Sequence, residues 1–270
     1  MKSHDVRKLP SIVSMLSLVA VAACLSGCVS LHTASIFMHD SIRFPSVGMN
    51  SKDFVSEGGI VVKTTPTKSA CDLATTESIQ GGYVHTLVFP FQRNLRFSLA
   101  GAVSGYYAAN TLYGVFNGTE NEEMTYTGYG FTGQLKPTFF YKMDESRFII
   151  GGNFVYAKEF GDYLAFRSTL NEPNSYSTSF YNRCDLSPNG QTLSASLVVG
   201  YANCLDKENT VSGEVNVGLA FPAFLYEGFP FLTASLTATY TGRHFWTWVG
   251  CEFSPSMNTG ISVGLGLRLR

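Results

Sequence analysis

Charge is scarce in this chain of 270 residues: Asp, Glu, Lys and Arg together make up 14% of it, against about 25% in an ordinary soluble domain. So few charges cannot cover a whole exterior facing water. Long apolar runs are missing too, since the most hydrophobic stretch, residues 12–23, is about a dozen residues and a spanning helix needs roughly 20. Helical periodicity is absent beyond it. No P-loop, H-E-x-x-H helix or metal-type Cys/His spacing occurs. We therefore expect no metal and no cofactor. The net charge of −1 carries no basic footprint for nucleic acid.

What is present begins with an address. Lys2, Arg7 and Lys8 precede the apolar run, which is the layout of a secretory signal peptide. Directly after it stand Leu25, Ser26, Gly27 and Cys28. This resembles the lipobox of bacterial lipoproteins: a branched apolar residue, two small residues, then cysteine. The resemblance implies cleavage before Cys28, acylation of that cysteine by the lipoprotein-processing machinery, and, with Val29 and Ser30 following, sorting to the outer membrane. Residues 1–27 are then the signal peptide. Residues 28–57, which show no period and include Pro45, Gly48 and Asn50, read as a lipidated tether. Removing the signal leaves a mature charge of about −3.

From residue 58 to the end, large apolar residues alternate with small or polar ones at period two, the strand signature. Leu95, Phe97, Leu99, Val103 and Tyr107 oppose Arg96, Ser98, Ala100, Ala102 and Ser104. Leu193, Ala195, Leu197, Val199 and Tyr201 oppose Thr192, Ser194, Ser196 and Gly200. Val211, Val215, Val217, Leu219 and Phe221 oppose Ser212, Glu214, Asn216 and Gly218. Ile261, Val263, Leu265, Leu267 and Leu269 oppose Ser262, Gly264, Gly266, Arg268 and Arg270. A soluble barrel turns its bulky side inward and its charges outward. Here the second face is Ser, Thr, Ala and Gly, which suits a cramped lumen, and the bulky face then meets lipid.

Short connections near 90–94, 143–146, 205–209 and 242–244 alternate with long ones at 110–123 and 161–190. Membrane barrels place short turns in the periplasm and long loops outside. With weaker strands near 59–65 and 245–253 the count is about ten, or eight without them, and both chain ends lie on the periplasmic side. The expected fold is an all-β, antiparallel up-and-down transmembrane barrel over 58–270. Tyr106, Tyr107, Phe139, Phe140, Tyr141, Trp246 and Trp248 are candidates for an interfacial aromatic girdle.

In this pattern residues 58–270 resemble the small outer-membrane barrels of Gram-negative bacteria, the broad class of OmpA-type and OmpW-type barrels. That class usually ends its last strand on an aromatic residue, whereas this chain ends in Leu269 and Arg270. The resemblance implies lipid-anchored residence in the outer membrane, with the outer-membrane assembly machinery and membrane lipids as partners and no external partner named.

Charges on the small face have to pair in a narrow lumen, because an isolated buried charge is very costly. Arg96, Lys136, Glu214 and Arg268, with Gln134, Asn153 and Asn216, are the expected internal network. Of the cysteines left after Cys24 and Cys28, the loop placement makes Cys71 and Cys184 the candidate disulfide, while Cys204 and Cys251 lie toward opposite rims. His85 in mid-strand and His244 in a turn have no definable serine partner, so no catalytic residue is assigned and an enzyme is not expected. Gly128, Gly130 and Gly133 spell G-x-G-x-x-G inside a β pattern and carry no nucleotide site. The expected role is structural or surface interaction through the loops at 110–123 and 161–190. A narrow channel for small solutes, and a lipid-anchored soluble barrel holding an apolar ligand, stand as alternatives.

Overall fold

The structure, a computed structural model, describes residues 31–32, 42–44, 55–69, 74–116, 119–143, 145–170, 185–186, 190–206, 208–222, 231–253 and 258–269. Ten strands among them follow one another as neighbours: β1 Val55–Ser69, β2 Ala74–Pro90, β3 Leu95–Phe116, β4 Thr119–Met143, β5 Ser146–Phe160, β6 Gln191–Cys204, β7 Thr210–Pro222, β8 Phe231–Thr241, β9 Phe245–Phe253 and β10 Asn258–Leu269. Every pairing is antiparallel, and β10 closes on β1 from Asn258↔Ser69 to Leu269↔Gly58. The ladder has no free edge.

The alternation of residue size along each strand sets the direction of its faces. Val103, Leu197, Ile261 and Leu267, each more than half exposed, point outward. Ser98, Ser104, Thr132, Ser194, Ser212 and Ser262 point inward and are buried. This is the inverse of a soluble barrel, and the reading as a soluble carrier of an apolar ligand is overturned by it.

Short turns gather at one rim. The turn at 205–209 is held by Asp206, which accepts bonds from Asn209 Nδ2 at 2.6 Å and from the Glu208 and Asn209 backbone N–H groups at 2.8 Å each. Those donors, the Asn209 side chain foremost, hold the Asp206 carboxyl below the usual carboxylate range.

At the other rim two expectations need correction. Residues 110–123 are not a loop: β3 and β4 run 22 and 25 residues and stay paired through Gly114↔Glu122 to Phe116↔Thr119, with one register shift. Asn, Thr and Gly there read as turn residues, but two strands leaving a wall can continue pairing with each other alone. The described residues also include a helix, α1 Asp162–Leu170. It is too short to register as a period. Gly161 at φ 108° permits the corner, where a Cβ would meet the Thr127 carbonyl at 2.8 Å, and Phe166 stacks on Tyr126 with ring centroids 4.4 Å apart. Beyond α1, Asp185–Leu186 pairs in parallel with Leu31–His32.

The aromatic girdle also divides. Tyr107, Phe139 and Tyr141 are outward and exposed, but Tyr106, Trp246 and Trp248 are buried in the lumen. Each large ring lies over a glycine on the next strand: Tyr106 is opposite Gly130, Trp248 opposite Gly264 and Trp246 opposite Gly266. A Cβ built on Gly264 would fall 2.0 Å from the Trp248 ring. Glycine is required there by close approach and not by backbone conformation.

Gly264→Ala is therefore expected to destabilise the barrel by about 1–3 kcal/mol through overpacking. Gly133→Ala, where a Cβ meets nothing within 4 Å, is expected to leave it nearly unchanged. The midpoint of heat-dependent gel migration for the two variants checks this.

Candidate functional site

The lumen is where the polar chemistry collects. Gln80 Nε2 on β2 donates to Ser104 Oγ at 2.7 Å and to Thr132 Oγ1 at 3.1 Å, and the two hydroxyls bond each other at 2.5 Å. Gln134 Nε2 donates to Asn153 Oδ1 at 2.8 Å, and Asn216 Nδ2 to Ser235 Oγ at 2.9 Å. These bonds staple neighbouring or next-neighbour strands from within.

One pair does more. Lys136 on β4 and Glu214 on β7 meet at 2.5 Å although their strands are not neighbours in the wall. The ion pair spans the interior as a strut. The other two charges named with it stand apart from this contact: Arg268 Nη1 donates to the Gly242 carbonyl at 2.8 Å on the short-turn rim, and Arg96, second residue of β3, stands at the same rim opposite Phe140 in register.

The lumen also has an occupant from outside the wall. Ile42, Arg43 and Phe44 are buried there, at 1%, 4% and 9% exposure. Ile42 and Phe44 form an apolar cluster with Val84, Ala100, Trp246 and Trp248. Arg43 Nη2 donates to Ser235 Oγ at 3.1 Å, and Trp246 Nε1 donates to the Arg43 carbonyl at 2.9 Å. The Phe44 ring lies 6.0 Å from Lys136 Nζ. A cavity of about 30 Å³ remains beside Phe44, lined by Thr86, Ser98, Lys136, Arg147 and Glu214 among others, room for about two water molecules.

Sequence reading missed several lumenal groups. Gln80, Arg147 and Glu252 share the parity of the small face on their strands, and period two alone would have found them. Arg43 lies in a stretch without a period, so nothing local marks it. Cys204 and Cys251 are free thiols. Cys28, Cys71 and Cys184 lie outside the described residues. His85 faces outward, its Nδ1 3.1 Å from the Tyr83 hydroxyl, and no group of three or more metal-ligating side chains occurs among the described residues.

The chain matches no protein-family model and no curated protein. Among solved structures it is similar to the β domain of the Bordetella autotransporter BrkA, at 12% identity over 79% of this chain and 99% of that one, with a TM-score of 0.44. It is also similar to an outer-membrane channel from Pseudomonas putida F1, at 7% identity, 84% and 100% coverage and a TM-score of 0.42. The outer-membrane protein OprG from Pseudomonas aeruginosa aligns at 10% identity, 90% and 100% coverage and a TM-score of 0.33. Likenesses at this level add nothing to what the closed ladder already displays.

Removing one partner of the strut leaves a buried charge alone. Lys136→Ala is expected to destabilise the barrel by about 3–5 kcal/mol, and the double change Lys136→Met with Glu214→Leu by much less. Urea unfolding of the detergent-held protein separates the two.

Proposed function

We propose that this chain is an outer-membrane β-barrel lipoprotein, held in the bilayer by its wall and by acylated Cys28, with a structural or surface-interaction role on its long-loop side. The observation that carries the reading is the inside-out wall. The described wall turns bulky apolar residues such as Val103, Leu197 and Ile261 outward and keeps hydroxyls, amides and charges such as Ser104, Gln80 and Lys136 inside, an arrangement that is stable where the surroundings are hydrocarbon. The closed ladder satisfies the backbone without water.

The surface role follows from where paired strands leave the wall. The β3–β4 hairpin continues past its neighbours, because β2 stops pairing with β3 at Ala74↔Leu112 and β5 stops pairing with β4 at Tyr129↔Phe160. The helix α1 braces it, with Thr127 Oγ1 donating to Asp162 Oδ2 at 3.2 Å. A ribbon supported in this way offers a fixed shape to a partner. The channel reading is weaker for the resting molecule, since a wall of about ten strands is largely filled by side chains and this one holds Ile42–Phe44 as well.

Two measurements test the proposal. A Cys28→Ser variant is expected to lose acylation yet resist carbonate and urea extraction while keeping heat-modifiable migration; release of that variant into water would refute membrane residence. Leu197, outward at 56% exposure in the middle of β6, is expected to tolerate arginine badly, at about 2–4 kcal/mol when placed at a bilayer midplane. A neutral effect of Leu197→Arg on unfolding in lipid would mean that this face meets water.

A further inference from the structure

Ile42, Arg43 and Phe44 sit in the lumen as a ligand sits in a pocket, and the wall supplies a separate partner for each part. The Arg43 carbonyl accepts from Trp246 Nε1, the guanidinium donates to Ser235, and the two apolar side chains pack on Val84, Ala100 and the tryptophans. Trp246 is fully buried. Without the segment its indole N–H would lose this acceptor, so the wall is built with a donor that this backbone completes. Three features of different chemistry converge on three consecutive residues, which packing of a passing tether does not require.

The seat is incompletely satisfied, as parts of the wall are. Arg43 Nε has no hydrogen-bond partner among the described residues. Glu214 lies in contact with Lys136. A cavity remains beside Phe44. A buried guanidinium held by one hydroxyl gains little over its hydration, whereas each strand is fixed by a full ladder. The segment, held by two hydrogen bonds and one apolar cluster, is thus a part of the interior that can leave with the ladder intact.

We propose that the lumen carries an acceptor site for an extended peptide of apolar–arginine–aromatic pattern, that Ile42–Arg43–Phe44 is its resident occupant, and that withdrawal of this segment opens a polar passage lined by the Gln80, Lys136–Glu214 and Asn216 groups. An extended chain occupies a cross-section of roughly 5 by 10 Å, enough for hydrated small solutes once vacated. The passage rests on the membrane-barrel reading above; the acceptor site does not.

The chain has only two tryptophans, Trp246 and Trp248, and both line the seat, so intrinsic fluorescence reports on it alone. In the full chain with Ile42, Arg43 and Phe44 all changed to Gly, emission is expected to shift to longer wavelength. A synthetic peptide of residues 38–48, which contains no tryptophan, is expected to restore it saturably, and the same peptide with Arg43→Glu is not. Heat-modifiable migration of the triple variant shows that the wall is intact. In planar bilayers that variant is expected to be open about tenfold more often than the unaltered chain or beyond, and the peptide to close it. An intact triple variant with unchanged emission, or one that ignores the peptide, overturns the acceptor site. Peptide binding with no gain in conductance overturns the passage. Failure of membrane residence shows separately, as release of Cys28→Ser into water.

Discussion

Closure of β10 on β1 is the constraint from which the rest follows. Once the ladder has no edge, every strand backbone can be satisfied inside the wall, and its two faces are free to meet different surroundings. Closure also fixes how much room there is within. A wall of this size leaves an interior that side chains must fill, and they fill it in complementary pairs: the Tyr106, Trp246 and Trp248 rings lie over the glycines opposite them, and Lys136 reaches across to Glu214. The size alternation that marks each strand is therefore also matched between strands.

Polar groups placed in so narrow a space have to find partners there. The wall meets most of this demand between nearby strands, through Gln80 with Ser104 and Thr132, Gln134 with Asn153, and Asn216 with Ser235. One group it does not complete by itself is the Trp246 indole N–H. There the chain folds residues 42–44 into the lumen, adding an apolar pair and a backbone acceptor. These residues are held by side-chain contacts and the strands by their ladder, so occupant and wall differ in how they are held.

Much of the wall was legible in advance. The four short turns and the outward sets on β3, β6, β7 and β10 follow from period two, because the pleat sends successive side chains to opposite faces wherever the strand lies. Even the strut residues were visible as charges with lumenal parity. The misses share a cause. Residues 110–123 look like loop because turn-prone composition says nothing about whether a second strand lies alongside. Trp246 and Trp248 look like interfacial anchors because an aromatic near a strand end suits either face, and only the partner glycines on β10 distinguish them. The helix at 162–170 depends on Gly161 and on a ring contact with Tyr126, which is distant in sequence.

The sequence by itself determined the strand periods, the identity of the outward face and the antiparallel barrel architecture, since these are carried by local alternation and turn chemistry. Tertiary structure alone decided which charges meet across the interior, which aromatics turn inward, and that Ile42–Phe44 lies among them. Those outcomes depend on separations of 78 residues for the strut and 203 for the Trp246–Arg43 bond, and no local pattern encodes a contact between segments that only closure of the barrel brings together.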